Sequence, residues 1–322
     1  METLDAATWR ARAEAHRTRV DTWLEPHLAR RRAGVPHPVE DFLFTYYSQR
    51  PAALRRWHPG FGVALADAAT YRTLKGYAEP VDATGARPGR AVTAVTATYV
   101  ASQRPVLRGL RNLLKATAAR PARLGCFGMH EWAMVYRFGQ EQVRHSDWPL
   151  RLGRAGTDEV VASHTIACSH FDAFRFFSEA ARPLNTLCPS REDRADFEQP
   201  GCLHAGMDLY KHAFRLTPMI ASELVADCFE LAREIRELDM RASPYDLREL
   251  GCEPVPVETT NGKQVYVAAQ RAFAERGEPL RARLIEECDR LLADLESRHQ
   301  HGSRRDTEGG RSDGCRGCSQ AL

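Results

Sequence analysis

The sequence predicts a mainly α protein: one helical globular domain over residues 1–297 with a few short strands, and a disordered tail over 298–322. An α+β arrangement is the alternative. Three observations lead there. Apolar residues recur at spacings of three and four through most of the chain. Alternating strand patterns are short and few. Beyond Ser297 the chain becomes Gly-, Arg- and Ser-rich and has no large apolar residue before Leu322.

The elements follow in order. Trp9, Ala13, Val20, Trp23, Leu24 and Leu28 predict one or two amphipathic helices over 6–32, broken near Pro26. Residues 39–48 gather aromatic side chains, and Pro51 starts a short helix that ends near Trp57. Residues 82–90 read as a Gly/Pro turn. The β-branched stretch 91–101 is ambiguous, and Pro105 opens a clear helix that Pro121 stops. A helix is expected over 128–137 and a short strand over 158–167. Long helices are expected over 203–216, 220–240 and 265–298, the last interrupted at 277–279 by Gly277 and Pro279.

Composition narrows the function classes. No run of some eighteen apolar residues exists, so no membrane span is expected. The charged N-terminus lacks the apolar core of a secretory signal, which predicts a cytoplasmic protein. Nine cysteines, widely spaced except for Cys315 and Cys318, suggest reduced thiols. A lone CxxC in the tail is a weak metal or redox signal. Net charge is +3, too small to name a partner, and no protein partner is legible. Its distribution says more: eight basic residues and no acid lie between Ala83 and His130.

Four of those cations, Arg104, Arg108, Arg111 and Lys115, are spaced to line one helix face, opposite a stripe of Leu107, Leu110, Leu113 and Leu114. Such a ridge repels itself unless an anion lies against it, and phosphate is the usual answer; a solvated face is the plain alternative. Next, His130 and Glu131 are adjacent near Trp132 and Tyr136. They lack the second His of a zinc-protease helix, because Met134 stands there. His170 and Asp172 would share a strand face, as a carboxylate-oriented imidazole does in acid–base work. His204, Asp208 and His212 share a helical stripe, yet ~12 Å of rise separates the two histidines. One pair at most can ligate a common ion, with His164 or His170 completing a divalent transition-metal site. Asp239, at the C-terminal turn of an acidic helix, needs a partner such as Arg241 or a ligand.

The segments PVEDFLFTYYS (38–48), RRWHPG (55–60), HEWAMVY (130–136), HFDAFR (170–175), QPGCLH (199–204) and LDMRASPY (238–245) resemble a family of GC-rich bacterial proteins commonly labelled 3-methyladenine DNA glycosylases. The likeness spans about residues 9–297. It implies a DNA-repair N-glycosylase that releases alkylated purines from double-stranded DNA without a cofactor. No Gly-rich helix-hairpin-helix element is visible, and no catalytic residues come with the family. On this reading Glu131 and Asp172 supply the carboxylate, and His130 and His170 orient water or the leaving group. Trp132 and Tyr136 stack on the extruded base, Arg137, Arg175, Asp239 and Arg241 complete the substrate site, and the ridge from Arg104 to Lys115 holds the duplex. The alternatives are a helical metalloenzyme or metal-binding protein using His204, Asp208 and His164, and a non-catalytic protein that binds nucleic acid or anions.

Overall fold

A computed structural model describes residues 1–47, 49–80, 91–138 and 147–308, the last ten of these by backbone alone. Arg87, Arg90, residues 309–322 of the expected tail, and its CxxC lie outside the described residues.

The chain opens with β1 (Glu2–Leu4) and then α1 (Ala6–Ala33). Asp5 caps α1 by accepting from the Thr8 amide at 2.8 Å, and Gly34 ends it in the left-handed region. The expected break at Pro26 does not occur. Trp23, Leu24 and His27 are buried on both sides of Pro26, so tertiary burial holds the helix continuous despite the missing amide donor. Two one-turn helices follow, α2 (Phe42–Tyr46) and α3 (Pro51–Arg55).

The strands β2 (Val63–Ala66), β3 (Tyr77–Ala78) and β4 (Val92–Val95) join β1 in a sheet ordered β1-β2-β4-β3. The β1–β2 pair is parallel and the other two are antiparallel. Only β4 has a strand-like composition, and it owes its place to pairing: Ala64, Ala66, Val92 and Ala94 bury one face together. α4 (Ala97–Ser102) and α5 (Arg104–Ala118) come next, and Leu107, Leu110 and Leu114 of α5 face the core.

Past α6 (Met129–Val135), residues 158–163 of the segment expected as a strand are helical instead, in α7 (Gly153–Ser163), and beyond them Ile166 forms a single bridge to Asn185. Thr157, Val160 and Val161 are the buried residues of α7, a spacing of three and four that two adjacent valines disguise as a strand. The short α8 (Phe171–Phe174) and α9 (Arg194–Phe197) lead to the central layer, α10 (Leu203–Arg215), α11 (Ser222–Arg241) and α12 (Thr260–Glu308). These three pack on one another, and α5 lies against α12. Gly206 permits the close approach of α10 and α11, since a Cβ there would sit 2.8 Å from Ile235 Cδ1. α12 runs unbroken through Gly277 and Pro279, because Tyr266, Gln270, Arg281, Leu284, Cys288, Leu291 and Leu295 form one continuous buried stripe. The molecule is thus mainly helical with a small sheet, and no helix among the described residues is long and apolar enough to cross a membrane.

Candidate functional site

All seven residues of α6 are buried. A fully buried helix must satisfy its polar side chains inside the protein, and α11 supplies the partners. Asp239 Oδ1 lies 2.8 Å from His130 Nε2. Arg236, one turn earlier on α11, donates through one nitrogen to Glu131 Oε1 at 2.9 Å and to Asp239 Oδ2 at 2.8 Å. Its guanidinium also lies 3.8 Å from the Phe42 ring centroid. Burial works against a charged His130, but Asp239 overrides it and holds the imidazole well above its usual range. Burial likewise opposes ionisation of Asp239, and His130 and Arg236 hold its carboxyl below the usual range. Two carboxylates, one guanidinium and one imidazolium thus form a compensated layer.

His204 arrives from α10. Its ring meets that of His130 edge-on at 4.4 Å between centroids, and lies 5.3 Å from that of His170. Burial, helped by the neighbouring His130 charge, pulls His204 well below its ordinary value and keeps it neutral. One donor atom each from His130, His204 and Asp239 lie within 4.8 Å of one another. The two histidines also line a cavity of about 210 Å³, together with Cys126, Cys168, Cys202 and Gln199. Its mouth is at the exposed Arg123 and Gly125. Cys126 Sγ is 4.0 Å from His130 Nδ1, and the next two residues, Phe127 and Gly128, both have positive φ, 49° and 69°. A non-glycine in that region is a strained position of the kind that accumulates at functional sites.

Behind His204 lies a second polar layer. His170 Nε2 is 3.4 Å from Asp208 Oδ2 and 3.6 Å from Glu198 Oε1, ion-pair distances without an aligned hydrogen bond at either ring nitrogen. Tyr47 donates to Asp208 Oδ1 at 2.9 Å, while Arg194 and Lys211 hold Oδ2 at 3.0 and 3.1 Å. Lys211 also reaches Asp172 at 2.9 Å.

The fold therefore gathers His130, Asp239 and His204, with Glu131 joined through Arg236 and His170 beside His204. Other expected residues stand apart. Asp172 belongs to α8 and pairs with Lys211 and Arg175, not with His170 across a strand. Trp132 is fully buried and donates to the Ala242 carbonyl at 2.8 Å, and Tyr136 is buried beside the Arg137 guanidinium. Neither ring presents a face to the cavity lining. Arg137 engages Asp158 through its backbone amide, and Arg175 lies over Phe176. Asp239 takes His130 and Arg236 as partners, whereas Arg241 bonds the Glu253 carbonyl. Asp208 is neutralised by cations and shares no ligand group with His204 among the described residues, and His164 bonds the Val160 carbonyl of its own helix. On the ridge, Arg111 and Lys115 clamp Asp289 of α12, and Arg104 and Arg108 have no ion-pair partner among the described residues.

Sequence reasoning missed Arg236 and the three cavity cysteines. A signal for two of these was present: Arg236 stands three residues before Asp239, and Cys126 four before His130. Compared with protein-family models, with curated proteins and with solved structures, the chain matches none, so its own residues carry the functional argument.

Proposed function

We propose that the protein is a metal-dependent enzyme whose divalent transition metal is held by His130, His204 and Asp239, the ion displacing the proton that His130 shares with Asp239, with an open position toward the cavity. One observation carries this reading: two imidazoles and a carboxylate, brought from three helices, converge within 4.8 Å, and both imidazoles line a cavity. Three N/O ligands beside open space are the pattern of catalytic sites, whereas structural sites are closed by four. Arg236 anchors the free oxygen of Asp239 at 2.8 Å, the kind of outer contact that orients a metal-binding carboxylate. A divalent ion there polarises a water or a substrate oxygen. Ser169, Gln199 and Gln270 provide polar groups on the cavity lining, and a cavity of about 210 Å³ limits the substrate to a small molecule or group.

The test is elemental analysis of protein purified without a metal-affinity tag. The expected result is about one transition-metal ion per chain, retained on dialysis and lost in His204→Ala. A metal-free protein whose melting temperature ignores added Zn²⁺, Mn²⁺, Fe²⁺ and Co²⁺ would sink the proposal.

The N-glycosylase activity implied by the resemblance is the second reading. It is favoured by the buried carboxylate of Asp239 near a cavity roomy enough for one nucleobase. It draws no support from the placement of Trp132 and Tyr136. Release of 3-methyladenine from methylated duplex DNA in the presence of a chelator would favour it over the metal centre.

A further inference from the structure

Three thiols line the cavity, and one of them is placed unlike the others. Cys168 is buried and donates to the His170 carbonyl at 3.7 Å, and Cys202 caps the start of α10. Cys126 is half-buried at the mouth, beside the exposed Gly125, within reach of a molecule that enters there. A tight turn folds it back over α6. The Met129 amide donates to the Cys126 carbonyl at 2.9 Å, and both central residues, Phe127 and Gly128, have positive φ. Sγ then faces His130 Nδ1 at 4.0 Å, while His130 Nε2 lies 2.8 Å from Asp239 Oδ1.

Thiol, imidazole and carboxylate thus follow one another as a nucleophile, the base beside it and the group that orients the base. The sulfur contact is long, as such contacts commonly are until a substrate closes the site. The metal centre proposed above uses the opposite ring nitrogen, so Nδ1 stays turned to Cys126 whether or not an ion is bound. The arrangement goes beyond that reading and does not rest on it.

Ser169 indicates what the thiol meets. It is 6% exposed and lines the same cavity, yet its hydroxyl makes no hydrogen bond among the described residues. Nor is its Oγ sealed in the core, so the hydroxyl keeps open surface at the cavity. Buried hydroxyls normally have a partner, and a substrate oxygen supplies one. A cavity of about 210 Å³ keeps Ser169 and Cys126 within the span of one small molecule. Among the described residues no carboxylate lines it, so a carbonyl oxygen that gains negative charge meets no like charge on the wall.

We propose that Cys126 is the nucleophile of an acyl-transfer site for a small carboxylic ester or thioester, whose carbonyl oxygen is received by the Ser169 hydroxyl. The thiol proton passes to solvent, Sγ bonds the acyl carbon, and that carbon's bond to the leaving oxygen or sulfur breaks. The leaving group takes a proton from water, and the chain carries the acyl group as a thioester.

The probe is p-nitrophenyl acetate, applied to the full chain as purified and after dialysis against EDTA. Iodoacetamide, which alkylates sulfur without attack at a carbonyl, is the control. Peptide mapping by mass spectrometry is expected to place one acetyl group on Cys126 in both preparations, at least about tenfold faster than on the exposed Cys188. Ser169→Ala should slow this acetylation about tenfold or more and leave alkylation of Cys126 by iodoacetamide unchanged. Cys126→Ser should lose the fast acetylation altogether. Acetylation of Cys126 no faster than that of Cys188 in both preparations overturns the proposal. So does a Ser169→Ala variant that is acetylated as fast as wild type. Fast alkylation of Cys126 without acetylation would make it a thiol for alkylating agents and equally overturn the acyl-transfer site. Metal content is read by elemental analysis, so the metal centre and the nucleophile can each fail alone.

Discussion

Arg236 ties the buried carboxyl groups of Glu131 and Asp239 together. It bridges Glu131 and Asp239 at 2.9 and 2.8 Å while being 1% exposed. Arg236→Met keeps the apolar bulk under Phe42 but leaves Glu131 without its cation and Asp239 with His130 alone. The expected loss is about 3–5 kcal/mol of unfolding free energy, measured by urea denaturation at pH 7; a loss below ~1 kcal/mol would mean that the layer is not electrostatically coupled. His58 tests a different buried group. Burial, assisted by the Arg56 charge, lowers its pKa to about 4, and its Nδ1 lies 3.0 Å from the Tyr77 hydroxyl. The unfolded chain therefore binds a proton at higher pH than the folded one. Stability from His58 is complete above about 6.5, and it falls as pH drops from there toward about 4. In that window His58→Gln should lose less stability than wild type, by up to about 3 kcal/mol, read from urea curves at pH 7 and pH 4.5. Parallel pH profiles for the two proteins would show that His58 is not the titrating group.

Among the elements, α1 and α5 carry the instructive cases. Pro26 interrupts the amide ladder of α1 without ending the helix, because buried Trp23, Leu24 and His27 flank it. Pro26→Ala restores a donor and should stabilise the protein by about 1–3 kcal/mol, seen as a raised melting temperature. No gain would mean that the proline contributes packing that alanine cannot replace. On α5 the cationic face is partly neutralised from α12, as Arg111 and Lys115 both reach Asp289. These groups are about 40% exposed, so the pairs add little to stability. They do change the surface field. Asp289→Ala leaves the ridge uncompensated, and the variant should elute from heparin at higher salt than wild type. Unchanged elution would argue that this face meets no polyanion.

For the whole molecule, three packed helices and one short buried helix create the site, and α1 touches both α11 and strand β2 of the small sheet. α6 presents His130, α10 presents His204 and α11 presents Asp239. Because each ligand comes from a separate element, metal binding should be coupled to global folding. Removal of a bound ion by chelation is expected to lower the melting temperature of the wild type and leave that of His204→Ala unchanged. A chelator effect of equal size in both proteins would place any bound ion elsewhere.

By itself the sequence determined the helical class, most helix positions and the chemical types gathered in 126–246, because helical periodicity and turn chemistry are local properties. Short-range rules also explain the errors. Val160 and Val161 imitate a strand, and Pro26, Gly277 and Pro279 imitate helix ends, until burial on both sides outweighs the local preference. Only the tertiary structure decided which polar groups meet. His130 and Asp239 are 109 residues apart, and Arg111 and Asp289 are 178 apart. No spacing rule links such pairs, because helix-packing geometry selects them after the chain has collapsed. The same selection turned Trp132 inward, gave Asp208 to Arg194 and Lys211, and left Arg281 Nε and Nη2 buried without a hydrogen-bond partner among the described residues.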